Sequence, residues 1–339
     1  MAKLKRRGGI YIVSDEQILN YKQEGKTQEE IAGLTGKTRA QVCHALRRAR
    51  TKGNIEFEDM LSYTEENVED FIDAMKHMQK AKNKLNIKQV QACIRLNETK
   101  PFGIAYSGDW HIGADGSDYE LLDHDLRMIR DTEGLYMIGQ GDYRENAIKH
   151  KGSNFGEIIQ PGMQDKIVVK YMADLADKAL ALIQGCHDTW ESTQTDRSLM
   201  ETLCDVAQAV HLWHGGEITI KVEEEKYLLK CRHKYRFQSS LNPENAMRRL
   251  MEVFGPCDVA SEAHLHNPYT IMRHLMGQYR VMLRSGSVKV WDSYGQQGGF
   301  GKGKPGIPVV IFYPNEHRVI NFTHLKDGVD MLNAIRRAF

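Results

Sequence analysis

Five times between residues 102 and 266, a short apolar run ends in a cluster of Gly, Asp, Cys or His. Gly108-Asp109-Trp110-His111-Ile112-Gly113 follows the run 102–107, and Gly141-Asp142-Tyr143 follows 135–139. Gly185-Cys186-His187-Asp188 follows 179–184, His233 follows 226–231, and His264-Leu265-His266 follows 257–261. Runs of this length read as buried strands, and the segments between them, such as 118–131 and 165–179, read as helices. An α/β layout follows, in which polar residues at strand ends gather into one site. A lone Gly-Asp is ordinarily a turn and a lone His ordinarily a hydrogen-bonded structural residue. Five such clusters in series, each just after a strand, call for a shared purpose.

Metal ligation supplies one. Residues two apart in an extended segment point to one side, so Asp109 and His111 can grip one ion, and so can His264 and His266. Mixed imidazole and carboxylate donors suit Mn, Fe or Zn better than Ca or Mg. A carboxylate shared between two such ions would hold them about 3.5–4 Å apart, where they activate water and neutralise a phosphate.

The order D-x-H, G-D, G-x-H-D, H and H-x-H resembles that of the calcineurin-like metallophosphoesterases over roughly residues 100–325. Asp109-Trp110-His111-Ile112-Gly113 is particularly similar to the first motif of SbcD-type repair nucleases. The resemblance implies a double β-sandwich flanked by helices with a dimetal site at one end. It implies Asp109, His111 and His266 on the first metal, Asp142 as the bridge, and His233, His264 and Cys186 on the second. Two divalent ions are expected, manganese first, with zinc or iron as alternatives. His187 is the expected general acid, or a clamp on the phosphate. Cys186, whose thiolate is a softer ligand and favours zinc, stands where the family has asparagine, and Ala263 stands where it has glycine. The second motif continues Tyr143-Arg144-Glu145-Asn146, and Arg144 and Asn146 are assigned to phosphate oxygens. Asp188 either orients an imidazole or satisfies a turn. His124, His150, His211, His214, His274 and His317 are read as ordinary surface or core residues. The Gly-rich segment 294–306 reads as a loop, or as a lid carrying Lys302 and Lys304.

The first part of the chain has a different texture. Residues 1–55 hold twelve Lys/Arg against five Asp/Glu, a net +7, while the remainder holds 34 against 40, a net −6. Ser14 and Gly25 bound a first helix over 14–25, Thr27 opens a second, and Thr38 opens a third beyond a turn at Gly36. Ala32, Gly36 and Val42 have the spacing of a helix-turn-helix, which this segment resembles. Arg39, Gln41, His44, Arg47 and Arg48 would then face DNA. A helical protein-interaction domain is the alternative. The expected organisation is a helix-turn-helix domain over 1–53, a linker helix over 54–87 and a phosphoesterase domain over 88–339. In the linker, Val68, Phe71, Ile72, Met75 and Met78 recur at helical spacing, as a helix covering something apolar or joining two copies of the chain. From residue 88, Val90, Ala92, Ile94 and Leu96 alternate as a strand.

Composition narrows the rest. No stretch approaches the roughly 18 apolar residues that span a bilayer. The six cysteines form no C-x-x-C pair, which fits a reducing, cytoplasmic compartment, and a lone helix-turn-helix joined to a phosphoesterase body looks like a bacterial mobile-element or phage product. The functional expectation is a metal-dependent phosphodiesterase or nuclease using a metal-activated hydroxide on nucleic acid. Its rivals are a phosphomonoesterase and a DNA-binding regulator with a vestigial site.

Overall fold

The computed structural model describes residues 6–7, 10–11, 13–51, 65–85, 91–146, 157–195, 198–239, 241–291, 299 and 302–339. The chain divides into two compact units, Met1–Leu85 and Asn86–Phe339. Among the described residues no helix is long and apolar enough to cross a membrane.

In the first unit, β1 (Arg6–Arg7) and β2 (Ile10–Tyr11) pair antiparallel, ahead of α1 (Asp15–Gln23), α2 (Gln28–Thr35), α3 (Arg39–Thr51) and α4 (Glu65–Leu85). Ser14 and Thr27 each cap their helix in a reciprocal box with Gln17 and Glu30. Thr38 does the same for α3: its hydroxyl accepts from Gln41 N at 3.2 Å, and the Gln41 carboxamide oxygen accepts from Thr38 N at 2.9 Å. Gly36 ends α2 at φ +62°, a left-handed position that a residue with a Cβ rarely takes. Ile18, Ile31, Val42, Ala45 and Leu46 close a small core of their own.

The second unit is a sandwich of two mixed six-stranded sheets with helices outside, the architecture expected from the sequence. The first sheet runs β14 (Val319–Phe322), β13 (Val309–Phe312), β4 (Phe102–Ser107), β5 (Leu135–Gly139), β6 (Ala179–Leu182) and β7 (Val210–His211). Its strands β4 to β7 are parallel, with β13 and β14 antiparallel at one side. The second sheet runs β11 (Tyr269–Leu275), β12 (Gln278–Arg284), β10 (Val259–Glu262), β9 (Glu225–Arg232), β8 (Gly215–Val222) and β3 (Gln91–Leu96). Val90, expected in β3, lies outside the described residues.

Alternation along each strand decides which core a residue joins. From β4, Phe102, Ile104 and Tyr106 enter the layer between the sheets, where they meet Ile218, Tyr227, Leu229 and Val281. Ala105 faces the other way. There α5 (Tyr119–Asp131), α6 (Pro161–Asp174), α8 (Leu199–Ala207) and the final helix Leu325–Ala338 cover the first sheet. Helix α9 (Asn245–Phe254) covers the second through Met247, Leu250 and Met251. Because both faces are covered, the parallel strands read as unbroken apolar runs.

The helix expected over 165–179 lies earlier. Pro161, whose missing N–H is tolerated in a first turn, starts α6. Turn hydrogen bonds at Leu175 and Lys178 then release the chain for β6 at Ala179. Of the Gly-rich segment, residues 294–298, 300 and 301 lie outside the described ones. Its end is anchored, since Gly303 N donates to the Val290 carbonyl at 2.8 Å.

One ion pair is sealed in the body. Arg284, on β12, donates through Nε to Glu262 Oε1 at 2.8 Å, and both side chains have no exposure. Breaking such a pair leaves a buried charge uncompensated. Glu262→Gln is therefore expected to lower unfolding free energy by about 3–5 kcal/mol, read from the urea midpoint. A loss below about 1 kcal/mol would show that water reaches the pair.

Candidate metal centre

The five sequence clusters meet at one end of the sandwich. The loop after β4 brings Asp109 and His111, and the loop after β5 brings Asp142. Cys186 and His187 open the helix α7 (Cys186–Thr195) directly after β6. His233 follows β9, and His264 and His266 follow β10. Strand pairing holds these ends side by side: β4 with β5 and β5 with β6 in the first sheet, β9 with β10 in the second.

Backbone hydrogen bonds then tie the loops together. Asp109 N donates to the Gly141 carbonyl at 2.8 Å, and His111 N donates to the Asp142 carbonyl at 3.1 Å. The Asp188 carboxylate accepts from Asp142 N and Gly185 N, both at 2.8 Å, and from Tyr143 N at 3.3 Å. Asp188 is thus a clamp on two loops, the turn-satisfying of its two expected roles. Gly185 is required by close approach, because a Cβ there would collide with the Asp142 carboxylate and backbone. Five of the ten described non-glycine residues with positive φ are Asp109, His111, Asp142, His264 and His266. Strain of this kind persists only where surrounding structure enforces it, and it concentrates at functional sites.

Three groups of donor atoms result among the described residues. Asp109, His111 and His266 form the first, and Asp142, Cys186, His233 and His264 the second, each with its ligand atoms within 4.8 Å of one another. His111, Glu145 and His187 form the third, which shares His111 with the first. In the first, His111 Nε2 lies 3.0 Å from His266 Nε2, and His266 Nε2 lies 3.7 Å from Asp109 Oδ1. In the second, His233 Nε2 lies 3.1 Å from Asp142 Oδ2, and Cys186 Sγ lies 3.8 Å from His264 Nδ1. Asp109 Oδ2 joins the first two groups by accepting from His264 N at 2.9 Å.

The electrostatics are those of a site built for cations. Burial pushes the Asp109 carboxyl up to about 8, with the neighbouring Asp142 charge adding to it. Asp142 is buried too, yet His233 and His187 hold it well below the usual carboxylate range. Burial pushes His264 down to about 4 and lowers His111 and His266, which favours the neutral imidazole a metal needs, whereas the Asp142 carboxylate beside His233 raises that imidazole against its burial. Asp109 Oδ1 is buried without a hydrogen bond among the described residues, and the buried His233 Nε2 has the Asp142 carboxylate beside it. A divalent ion in each of the first two groups would engage those atoms, so the residues present fit two metals.

The tautomers agree. His233 Nδ1 donates to the Gln140 carbonyl at 2.8 Å, leaving Nε2 to ligate. His111 Nδ1 is held by Glu145 Oε2 at 2.8 Å, again leaving Nε2. His187 Nδ1 donates to the Glu145 carbonyl, so Nε2 is the atom that can exchange a proton with a substrate. The His187 ring packs 4.0 Å from the Trp190 ring and 4.6 Å from that of His111.

Glu145 and Lys289 are the residues the sequence did not single out. Glu145 Oε1 accepts from Lys289 Nζ at 2.9 Å while Oε2 orients His111. Carboxylates behind a ligating histidine set its orientation and basicity. Glu145→Gln is expected to weaken manganese binding about 10–100-fold by titration of the metal-free protein. Unchanged affinity would reduce Glu145 to a partner of Lys289.

Other expected contacts fall elsewhere. Arg144 is fully buried, and its guanidinium is held by Asp165 and by Glu191, the latter at 2.8 Å. It is therefore held in a structural ion-pair cluster, with both guanidinium contacts taken by carboxylates. Asn146 is buried next to His187, and its Nδ2 donates to the His187 carbonyl at 3.3 Å. On α3, Arg39, Gln41, His44 and Arg47 are exposed, while the Arg48 side chain lies outside the described ones. The Gln41 carboxamide serves the Thr38 cap, and Arg39 pairs with Glu29 at 3.0 Å. His317 bridges Glu225 and Asp258, and His150 lies outside the described residues.

No protein-family model matches the chain, and no curated protein matches it. Solved structures show distant similarity. A conserved uncharacterized protein of Streptococcus pneumoniae, a predicted phosphoesterase, is 11% identical with a TM-score of 0.35, covering 67% of this chain and 91% of that one. Vps29 of Entamoeba histolytica, in complex with zinc, is 13% identical with a TM-score of 0.35, covering 65% and 97%. Vps29 of Chaetomium thermophilum is 10% identical with a TM-score of 0.37, covering 66% and 98%. At these scores the reading of the site rests on its own residues.

Proposed function

We propose that the second unit is a two-metal phosphoesterase of the calcineurin-like kind and that its substrate is a nucleic-acid phosphodiester. One observation carries this reading: seven candidate ligating side chains from five separate segments form two adjacent donor groups, in which Asp109 Oδ1 is buried without a hydrogen bond among the described residues. A vestigial site would have no reason to keep buried carboxylates and imidazoles in strained backbone, since each is costly without a cation.

Asp109, His111 and His266 would hold one ion, His233, His264 and Cys186 the other, with Asp142 between them. Bound there, two divalent ions supply charge for the phosphoryl oxygens and lower the pKa of water. The thiol of Cys186 inclines the second group toward zinc, and manganese remains the first ion to try. His187 gives its Nε2 proton to the departing alcohol oxygen, held in place by the Glu145 carbonyl and the Trp190 ring.

Two features favour nucleic acid. The three-helix head has the caps and core of a helix-turn-helix and exposes Arg39, His44 and Arg47 on its third helix. Just after His233, the exposed Lys234 and Arg236 form a local basic patch on an acidic body, and the Lys234 charge acts on His264. The deciding assay compares manganese-dependent hydrolysis of bis-p-nitrophenyl phosphate with that of p-nitrophenyl phosphate. Diester turnover abolished by chelator is expected, followed by cleavage of DNA. Turnover of the monoester alone would replace the nuclease by a phosphatase, and metal-loaded protein inert toward diester, monoester and DNA would overturn the enzyme.

A further inference from the structure

Helix α4 presents an apolar stripe to solvent. Val68, Phe71, Ile72, Met75 and Met78 are each 40–65% exposed. A contiguous apolar strip of this kind marks a contact surface, unlike hydrophobes scattered singly. Val68, Phe71, Met75 and Met78 alternate three and four residues apart, the spacing of a coiled-coil seam.

Charge is segregated along the same helix. Its first half carries Glu69, Asp70 and Asp73, and its second half Lys76, Lys80 and Lys82. From this pattern we infer that the stripe is covered by α4 of a second copy of the chain, running antiparallel. A two-fold axis at the level of Asp73 sets Val68 across from Met78 and Phe71 across from Met75. The same rotation brings the acidic half of each helix level with the basic half of the other. Lys82 aside, these charges sit on the outer face, so they favour this direction through their field and not through pairs across the seam. Lys82 continues the seam seven residues beyond Met75. In a parallel pair the two Lys82 side chains would meet; in the antiparallel pair each lies toward the other copy's acidic end. The same acidic half argues against nucleic acid as the occupant. The seam from Val68 to Met78 is only about 15 Å long, so a weak dimer, with Kd in roughly the micromolar range, is expected.

Sedimentation equilibrium of the full chain, over about 1–100 µM, tests the association. The wild type is expected to pass from monomer to dimer, with Phe71→Glu and Met75→Glu each raising the Kd at least about tenfold at unchanged helical content. Orientation is read by disulfide trapping in a background where the exposed Cys43 and Cys93 are serine. Phe71→Cys and Met75→Cys chains, one carrying an affinity tag, are mixed and oxidised. Cross-linking between the two variants should exceed cross-linking within either. A wild type that stays monomeric throughout would overturn the proposal, leaving the stripe to the same chain. Dimers indifferent to both glutamates would place the interface elsewhere, and trapping within each variant would make the pair parallel; either result overturns it.

Discussion

Asp142→Asn should leave the chain folded while metal content drops from two equivalents to one or none. Manganese-dependent diester hydrolysis should fall by about 10³-fold or more. The size of the effect follows from position. Asp142 Oδ2 faces His233 Nε2 at 3.1 Å and Oδ1 accepts the His187 amide at 2.7 Å, so one carboxylate serves the second donor group and the acid that follows it. Asparagine keeps the shape and the amide contact but removes the charge that holds the cations. Metal analysis after gel filtration separates the causes. Two retained metals with lost activity would make Asp142 a catalytic group in its own right. Two retained metals with full activity would sink the two-group reading of the site.

The second large effect is expected at His187. His187→Gln should lower turnover by about 10²–10⁴-fold for a substrate with a poor leaving group, such as a dinucleotide. The loss should be much smaller for bis-p-nitrophenyl phosphate, because nitrophenolate departs without a proton. Metal content should stay at two, since His187 Nδ1 is taken by the Glu145 carbonyl and His187 belongs only to the third group, with His111 and Glu145. Equal losses on both substrates would assign His187 to holding phosphate. Loss of metal would assign it to the donor set, alongside His111 and Glu145.

How much of this could be read from the sequence depends on the range of the interaction. Strands β4 and β5 were legible because both faces are buried, so Phe102–Ser107 and Leu135–Gly139 read as unbroken apolar runs. The caps Ser14, Thr27 and Thr38 were legible because their partners lie three residues away. The ligand segments stood out because few residue types ligate metals, and a strand precedes each of them. Glu145 was not legible, since its role depends on His111 34 positions before it and Lys289 144 positions after it. Arg144 misled for the same reason: the carboxylates that bury it, Asp165 and Glu191, come from two later helices. The start of α6 was missed because an apolar pattern marks the middle of a helix better than its ends, and Pro161 marks this one.

The left-handed backbone at Asp109, His111, Asp142, His264 and His266 filters the site's vocabulary a second time. Aspartate, histidine and asparagine are the side-chain-bearing residues that settle most readily at positive φ, and all three are metal ligands. Valine, isoleucine and threonine are shut out by the turn before ligand chemistry is consulted. Glutamate, as good an oxygen donor as aspartate, takes such a turn less readily, although Glu223 does so in a hairpin of this chain. Mutational drift at these five positions is thus confined to a narrow corridor by backbone as well as by charge. The freer variation lies at Cys186, which sits in the first turn of a helix where ordinary dihedrals admit almost any residue. On the proposed reading, a substitution there would alter the second donor group without disturbing a loop.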